Sequence, residues 1–94
     1  MVEVKKLHKN ITIKGKVQGV GFRYSAKKMA LSLGIMGFIK NIPNGDVYIE
    51  AEGSEIQLRN LIEWCYKGPS YACVEDIHIE LADFKDFIFF EIIH

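Results

Sequence analysis

The chain has 94 residues, 49% of them hydrophobic, which suffices for a single domain with one core and is too short for two. Twelve basic residues balance twelve acidic ones, and the two kinds are interleaved, so the basic face that nonspecific nucleic-acid binding needs is missing. No apolar run approaches the ~20 residues of a membrane span, and no charged-then-apolar leader opens the chain, so the expected location is cytoplasmic.

In chain order, the first predicted strand covers residues 7–15. Ile11 and Ile13 face one way, and Asn10, Thr12 and Lys14 the other, which suits a sheet with one buried face and one wet face. Three glycines then fall within seven residues, Gly15, Gly19 and Gly21, and Arg23 follows. A helical pattern over 22–33 comes next, with Phe22, Ala26, Met29, Ala30 and Leu33 on one face and Gly34 placed as a left-handed cap. Its outer side carries Lys27, Lys28 and Ser32, a solvated face that adds local positive potential. Strand, glycine loop and helix together form a candidate phosphate cradle. Successive N–H groups converge, the first turn of the helix adds more, and Arg23 supplies a planar fork of donors. The loop is not a Walker loop, because no Gly-Lys-Ser/Thr follows Gly19. It lacks the third glycine of a dinucleotide fingerprint as well. From spacing alone, a flexible glycine turn with a solvated arginine explains it equally well.

A second strand is predicted over 36–42 and a third over 46–52, joined by the turn residues Pro43, Asn44, Gly45 and Asp46. In the third strand Val47, Ile49 and Ala51 point inward while Tyr48, Glu50 and Glu52 point out. Ser54 and Gln57 form a capping box that opens a helix over 55–66, with Leu58, Leu61, Ile62 and Cys65 as its apolar stripe and Gly68-Pro69 as its stop. Strands over 74–81 and 87–93 complete the pattern. Ile77, Ile79 and Leu81 are expected on one face of the former, and Ile88, Phe90 and Ile92 in the core from the latter. The fold class is therefore α+β: a ferredoxin-like βαββαβ sandwich, its sheet mostly antiparallel, with two helices on one face and a short fifth strand. Cys65 and Cys73 are too few for a disulfide scaffold and read as free buried thiols. His8, His78 and His94 are scattered without metal-ligand spacing and read as surface or C-terminal residues.

In this fold the glycine loop meets the end of the second strand, where Asn41 lies on the alternation phase of Gly37 and Ile39. Asn10, Thr12 and Lys14 are expected to give the site a neighbouring polar face. An Asx-turn ahead of Pro43 is the plainer explanation of Asn41 when its residue type is taken alone.

The string Gly15-x-Val17-Gln18-Gly19-Val20-Gly21-Phe22-Arg23 resembles the signature of the acylphosphatase family. A second family block is matched by Gly37-Phe38-Ile39-Lys40-Asn41, continuing through Pro43-Asn44-Gly45-Asp46-Val47 to Gly53. A weaker similarity lies in Gly68-Pro69 with Ala72 and Val74, followed by the aromatic C-terminal run. The resemblance extends from about Ile11 to the end of the chain. It implies a fold of five strands and two helices, and hydrolysis of a carboxyl-phosphate anhydride to carboxylate and inorganic phosphate. Arg23 matches the family's phosphate-binding arginine and Asn41 its water-positioning asparagine. The backbone N–H groups of Val17, Gln18, Gly19, Val20 and Gly21 match its phosphate cradle. The implied activity needs no metal or other cofactor. The implied ligands are a small acyl phosphate and the inorganic phosphate product, with neither nucleic acid nor membrane as partner, and a monomeric chain.

Two positions depart from the family pattern. Lys16 stands where arginine is frequent, keeping charge but not the forked donors. Ile42 follows Asn41 where a small polar residue is common. Two rival classes share the topology. Gln18-Gly19-Val20-Gly21-Phe22 faintly resembles an RNA-recognition strand motif, but it precedes a helix and has no Lys/Arg start. The other rival is a regulatory domain that keeps the phosphate site without turnover; the pair Arg23 and Asn41 favours the enzyme.

Overall fold

Period-two alternation and two amphipathic stripes account for most of the architecture. A computed structural model describes residues 4–94. Its elements are β1 (Lys6–Lys16), α1 (Phe22–Leu33), β2 (Met36–Asn41), β3 (Val47–Ser54), α2 (Glu55–Lys67), β4 (Cys73–Ala82) and β5 (Phe90–Ile93). The five strands form one sheet in the order β4-β1-β3-β2-β5. β1 pairs antiparallel with β3 and with β4, and β2 with β3, whereas β5 joins β2 in parallel. This is the expected ferredoxin-like arrangement, widened at one edge by β5.

Both helices cover one face of the sheet, α1 over β2 and β5, α2 over β1, β3 and β4. Ile11, Ile13, Ile39, Val47, Ile49 and Ala51 meet Ala26, Ala30, Leu58 and Leu61 there, all of them fully buried. The helix ends are closed as their residue types predict. Gly34 takes φ 78 and caps α1. At the start of α2, Gln57 N donates to Ser54 Oγ at 3.2 Å and Ser54 N to Gln57 Oε1 at 2.8 Å. Gln57 Nε2 also donates to Leu33 O at 2.9 Å, which ties the end of α1 to the start of α2. Gly37 marks a close backbone approach: with φ 145, a Cβ there would lie 1.8 Å from Glu50 O of the neighbouring strand.

The second sheet face departs from the expectation that it is wet. Residues 83–89 run back across it as a strap between β4 and β5. Glu52 accepts from Phe87 N at 2.7 Å and from Lys85 N, and Glu50 accepts from Lys85 Nζ at 2.8 Å. His8, expected at the surface, is only 1% exposed and lies among these groups, with Nδ1 donating to Glu52 at 2.7 Å and Nε2 3.1 Å from Glu50. Phe87 caps the cluster, 5.7 Å from the His8 ring and edge-on to Phe38 at 5.8 Å. Glu50 and Glu52 do point away from the core, but the strap buries them.

Other expectations fail at the margins for related reasons. β4 is an edge strand, so Ile79 and Leu81 are exposed although they share the face of Ile77. β5 begins at Phe90 rather than 87, because the strap occupies the preceding residues, and Ile88 is exposed. Cys65 is buried in the core, whereas Cys73 at the start of β4 is exposed. Among the described residues, no helix is long and apolar enough to cross a membrane.

Candidate active site

The site forms where β1 hands over to α1. Gly19 and Gly21 take φ 74 and 77, left-handed conformations that suit glycine, and they let the chain turn sharply into the helix. The loop is fixed on several sides. Val17 is buried in the core at 1% exposure, and half-buried Val20 packs against the core. Gln18 Nε2 donates to Ile42 O and to Asp46 O, both at 2.8 Å, pinning the loop to the β2–β3 hairpin. Phe22 is buried against Trp64, ring centroids 5.4 Å apart. That burial withholds from base stacking the only aromatic of the RNA-like string.

Among the described residues, no side chain caps the N-terminus of α1, and its first turn carries no acidic residue. Its first backbone bond runs from Ser25 N to Gly21 O, so the N–H groups of Phe22, Arg23 and Tyr24 have no acceptor within the helix. Uncapped donors and the positive end of the helix dipole together favour an anion here.

A cavity of about 250 Å³ opens at this point, lined by Val17, Gly19, Gly21, Phe22, Arg23, Tyr24, Asn41, Ile92 and His94. Five residues singled out in the sequence therefore meet: Val17, Gly19, Gly21, Arg23 and Asn41. The side chains of Gln18 and Val20 are turned elsewhere, into the hairpin and towards the core. Asn41 lies at the end of β2 opposite Val47, which places it on the helix-covered face. Its Oδ1 is buried with no hydrogen-bond partner among the described residues. The Asx-turn of this hairpin is made by Asn44 instead, whose Oδ1 accepts from Asp46 N at 3.0 Å. Asn41 is thus not a turn residue. A buried amide oxygen without a partner is unusual, and it needs a donor from whatever occupies the cavity.

Asn10, Thr12 and Lys14 do not border this cavity, contrary to expectation. They point to the opposite sheet face, because Ile13 rather than Lys14 pairs with Val47 on the face of Asn41. Lys14 instead bonds Asp46 at 2.7 Å. That bond holds the Asp46 carboxyl below its ordinary range, against an opposing push from burial and with help from Asn44. Among the described residues, no Asp or Glu side chain lines the cavity, and Arg23 is the one Lys or Arg that does. Among the described residues, no three His, Cys, Asp or Glu side chains cluster in a way that would hold a metal.

Tyr24, Ile92 and His94 also line the cavity, and sequence reasoning missed them. Tyr24 had a signal, since it follows Arg23 in the first helical turn. Ile92 and His94 had none, because their place depends on the parallel register that sets Lys40 beside Ile93.

A glycine loop leading into an uncapped helix, with a buried amide facing it from the next strand of a ferredoxin-like sheet, makes a pocket suited to a small anion. Comparison with known proteins agrees. The acylphosphatase family model matches residues 9–92, and the chain belongs to that family. An acylphosphatase of Acaryochloris marina is 44% identical over 81 residues, 86% of this chain and 87% of that protein. Among solved structures, an acylphosphatase from Coxiella burnetii superposes with a TM-score of 0.91 at 34% identity, covering 98% of this chain and 99% of that one. The acylphosphatase from Bacillus subtilis gives the same TM-score and identity over 94% of this chain and 99% of its own. The protein is accordingly an acylphosphatase, an enzyme that hydrolyses acyl phosphates.

Proposed function

We propose that the cavity binds the phosphoryl group of a small acyl phosphate and hydrolyses it without a metal ion. The backbone N–H groups of residues 17–21 and of the first turn of α1 surround the phosphoryl oxygens, and Arg23 adds its fork. Asn41 orients the water. The water oxygen attacks phosphorus, the bond from phosphorus to the acyl oxygen breaks, and that oxygen leaves as carboxylate. The water's protons pass to the inorganic phosphate and to solvent. Because a carboxylate is a good leaving group, positioning and charge stabilisation supply most of what the step requires. A neutral amide suffices to orient water, and the Asn41 oxygen would accept one of its hydrogens.

The observation that carries this reading is the buried, unpartnered Asn41 Oδ1 in the same cavity as Arg23. Support for metal independence is the local charge balance, in which Arg23, loop N–H groups and a helix N-terminus converge with no Asp or Glu side chain among the described lining residues. We read the chain as a single domain acting as a monomer. Two free thiols, with no disulfide among the described residues, fit a reducing cytoplasmic compartment. The test is benzoyl phosphate hydrolysis in excess chelator, with inorganic phosphate as inhibitor. Turnover should persist and phosphate should compete with substrate. Activity abolished by chelation and restored by magnesium, or purely noncompetitive inhibition, would contradict the proposal.

A further inference from the structure

A second depression runs on from the phosphate cavity. It is a groove of about 290 Å³ lined by Tyr24, Lys27, Lys28, Leu31 and Ile92. Tyr24 and Ile92 belong to both depressions, so the two share a wall. The four α1 residues are spaced i, i+3, i+4 and i+7, a single stripe along the helix. From Tyr24 to Leu31 that stripe is roughly 10 Å long. β5 supplies the facing wall through Ile92. Tyr24 and Leu31 remain 73% and 55% exposed, so this flank of α1 presents apolar surface to solvent next to the site.

Charge along the groove is one-sided. Among the described residues, no carboxylate lines it and neither Lys27 nor Lys28 has an ion-pair partner. Lysines of this kind lay their methylene stems along apolar surface and keep their heads in water. Their heads attract a phosphorylated ligand while their stems widen the apolar wall.

We infer that this groove is the subsite for the acyl group, and that it selects acyl phosphates with an extended apolar chain. The inference rests on the phosphate-site reading above. With the phosphoryl group in the cavity, the shared wall of Tyr24 and Ile92 gives the acyl chain a path along α1 towards Leu31. Leu31 lies outside the phosphate cavity, so it distinguishes acyl groups by length.

The test is a series of linear substrates, acetyl, butanoyl, hexanoyl and octanoyl phosphate, each with inorganic phosphate as competing inhibitor. In an open groove a methylene is half buried, so kcat/KM should rise about twofold per methylene, the square root of the roughly fourfold gain that full burial gives. Leu31→Asp should cut the octanoyl-to-acetyl ratio by about fourfold to eightfold, the contribution of two or three methylenes. Leu31→Ala should cut it less, and it carries the test if the aspartate variant fails to fold by circular dichroism. A flat series, or the same slope in the Leu31 variants, with phosphate still competitive, overturns the groove alone. Loss of competition by phosphate in the unmodified protein overturns the phosphate-site reading and the groove with it.

Discussion

Replacing Glu52 with glutamine should loosen the strap that holds β5 in place. Glu52 is 3% exposed, and its carboxylate accepts three hydrogen bonds, from His8 Nδ1 and from the backbone N–H groups of Lys85 and Phe87. Oε1 serves Phe87 and Oε2 serves the other two, so both oxygens are needed. Glutamine offers one oxygen and turns an NH₂ group towards a donor. At least one buried donor is then left unsatisfied, at a cost of about 1–3 kcal/mol, and loss of the charge-assisted bond to His8 adds to it. We expect a loss of about 3 kcal/mol, or roughly 12–24 °C in Tm for a domain of this size. Burial alone would raise the Glu52 carboxyl, but His8 and the two strap N–H groups outweigh it and hold the group below its ordinary value. Glu50 is likewise lowered, with burial opposed by Lys85, Tyr48 and His8. For depressed carboxyls, the stabilisation is complete above the unfolded pKa of about 4.3 and is lost as pH falls through the folded value. Urea unfolding of both proteins at pH 7 and at stepwise lower pH measures this. The unmodified protein should lose stability in acid, and Glu52→Gln should lose less. A variant within about 0.5 kcal/mol of the parent at pH 7, the range of ordinary surface changes, would refute the clasp.

Two further outcomes follow from the backbone and the thiols. Gly19→Val should fold, because a Cβ there meets nothing within 4 Å, but φ 74 costs it about 1–2 kcal/mol and the side chain enters the phosphate cavity. Calorimetry should show weakened phosphate binding; normal binding would contradict the nest of N–H groups. Burial pushes the Cys65 thiol up to about 12, while Cys73 is exposed. A disulfide reagent at pH 8 should therefore titrate one thiol in the native protein and two after denaturation; rapid reaction of both in the native state would contradict the burial of Cys65.

Sequence reasoning was reliable where a local pattern decides the outcome. The alternation of Ile11 and Ile13, the Ser54–Gln57 capping box and Gly34 each report on contacts within a few residues, and each stands as expected. Reasoning failed where the deciding partner is far along the chain. Glu50 and Glu52 point outward as alternation requires, yet the strap more than thirty residues later buries them and His8. Ile79 and Leu81 have the right phase but lie on an edge strand, and no periodicity reports strand order. The site divides in the same way. Arg23 and the glycines were visible because the loop is contiguous, and Asn41 because a motif singled it out. Ile92 and His94 reach the cavity only through the parallel pairing of β5 with β2, which leaves no local trace. Gln18 carries no visible sign that its side chain pins the loop to the hairpin.

The central claim, that Arg23 holds the phosphoryl group while Asn41 orients the water, is tested most directly by comparing their alanine variants. The measurement is steady-state hydrolysis together with phosphate titration, on variants shown to be folded by circular dichroism. Charge on the phosphoryl oxygens persists from ground state to transition state, so Arg23→Ala should weaken phosphate binding and lower turnover together. Asn41→Ala should lower kcat by about 10²–10³, the usual loss for one preorganised polar group, with phosphate affinity nearly unchanged. An Asn41→Ala enzyme with near-normal kcat, or one that loses phosphate as severely as Arg23→Ala, would contradict the account.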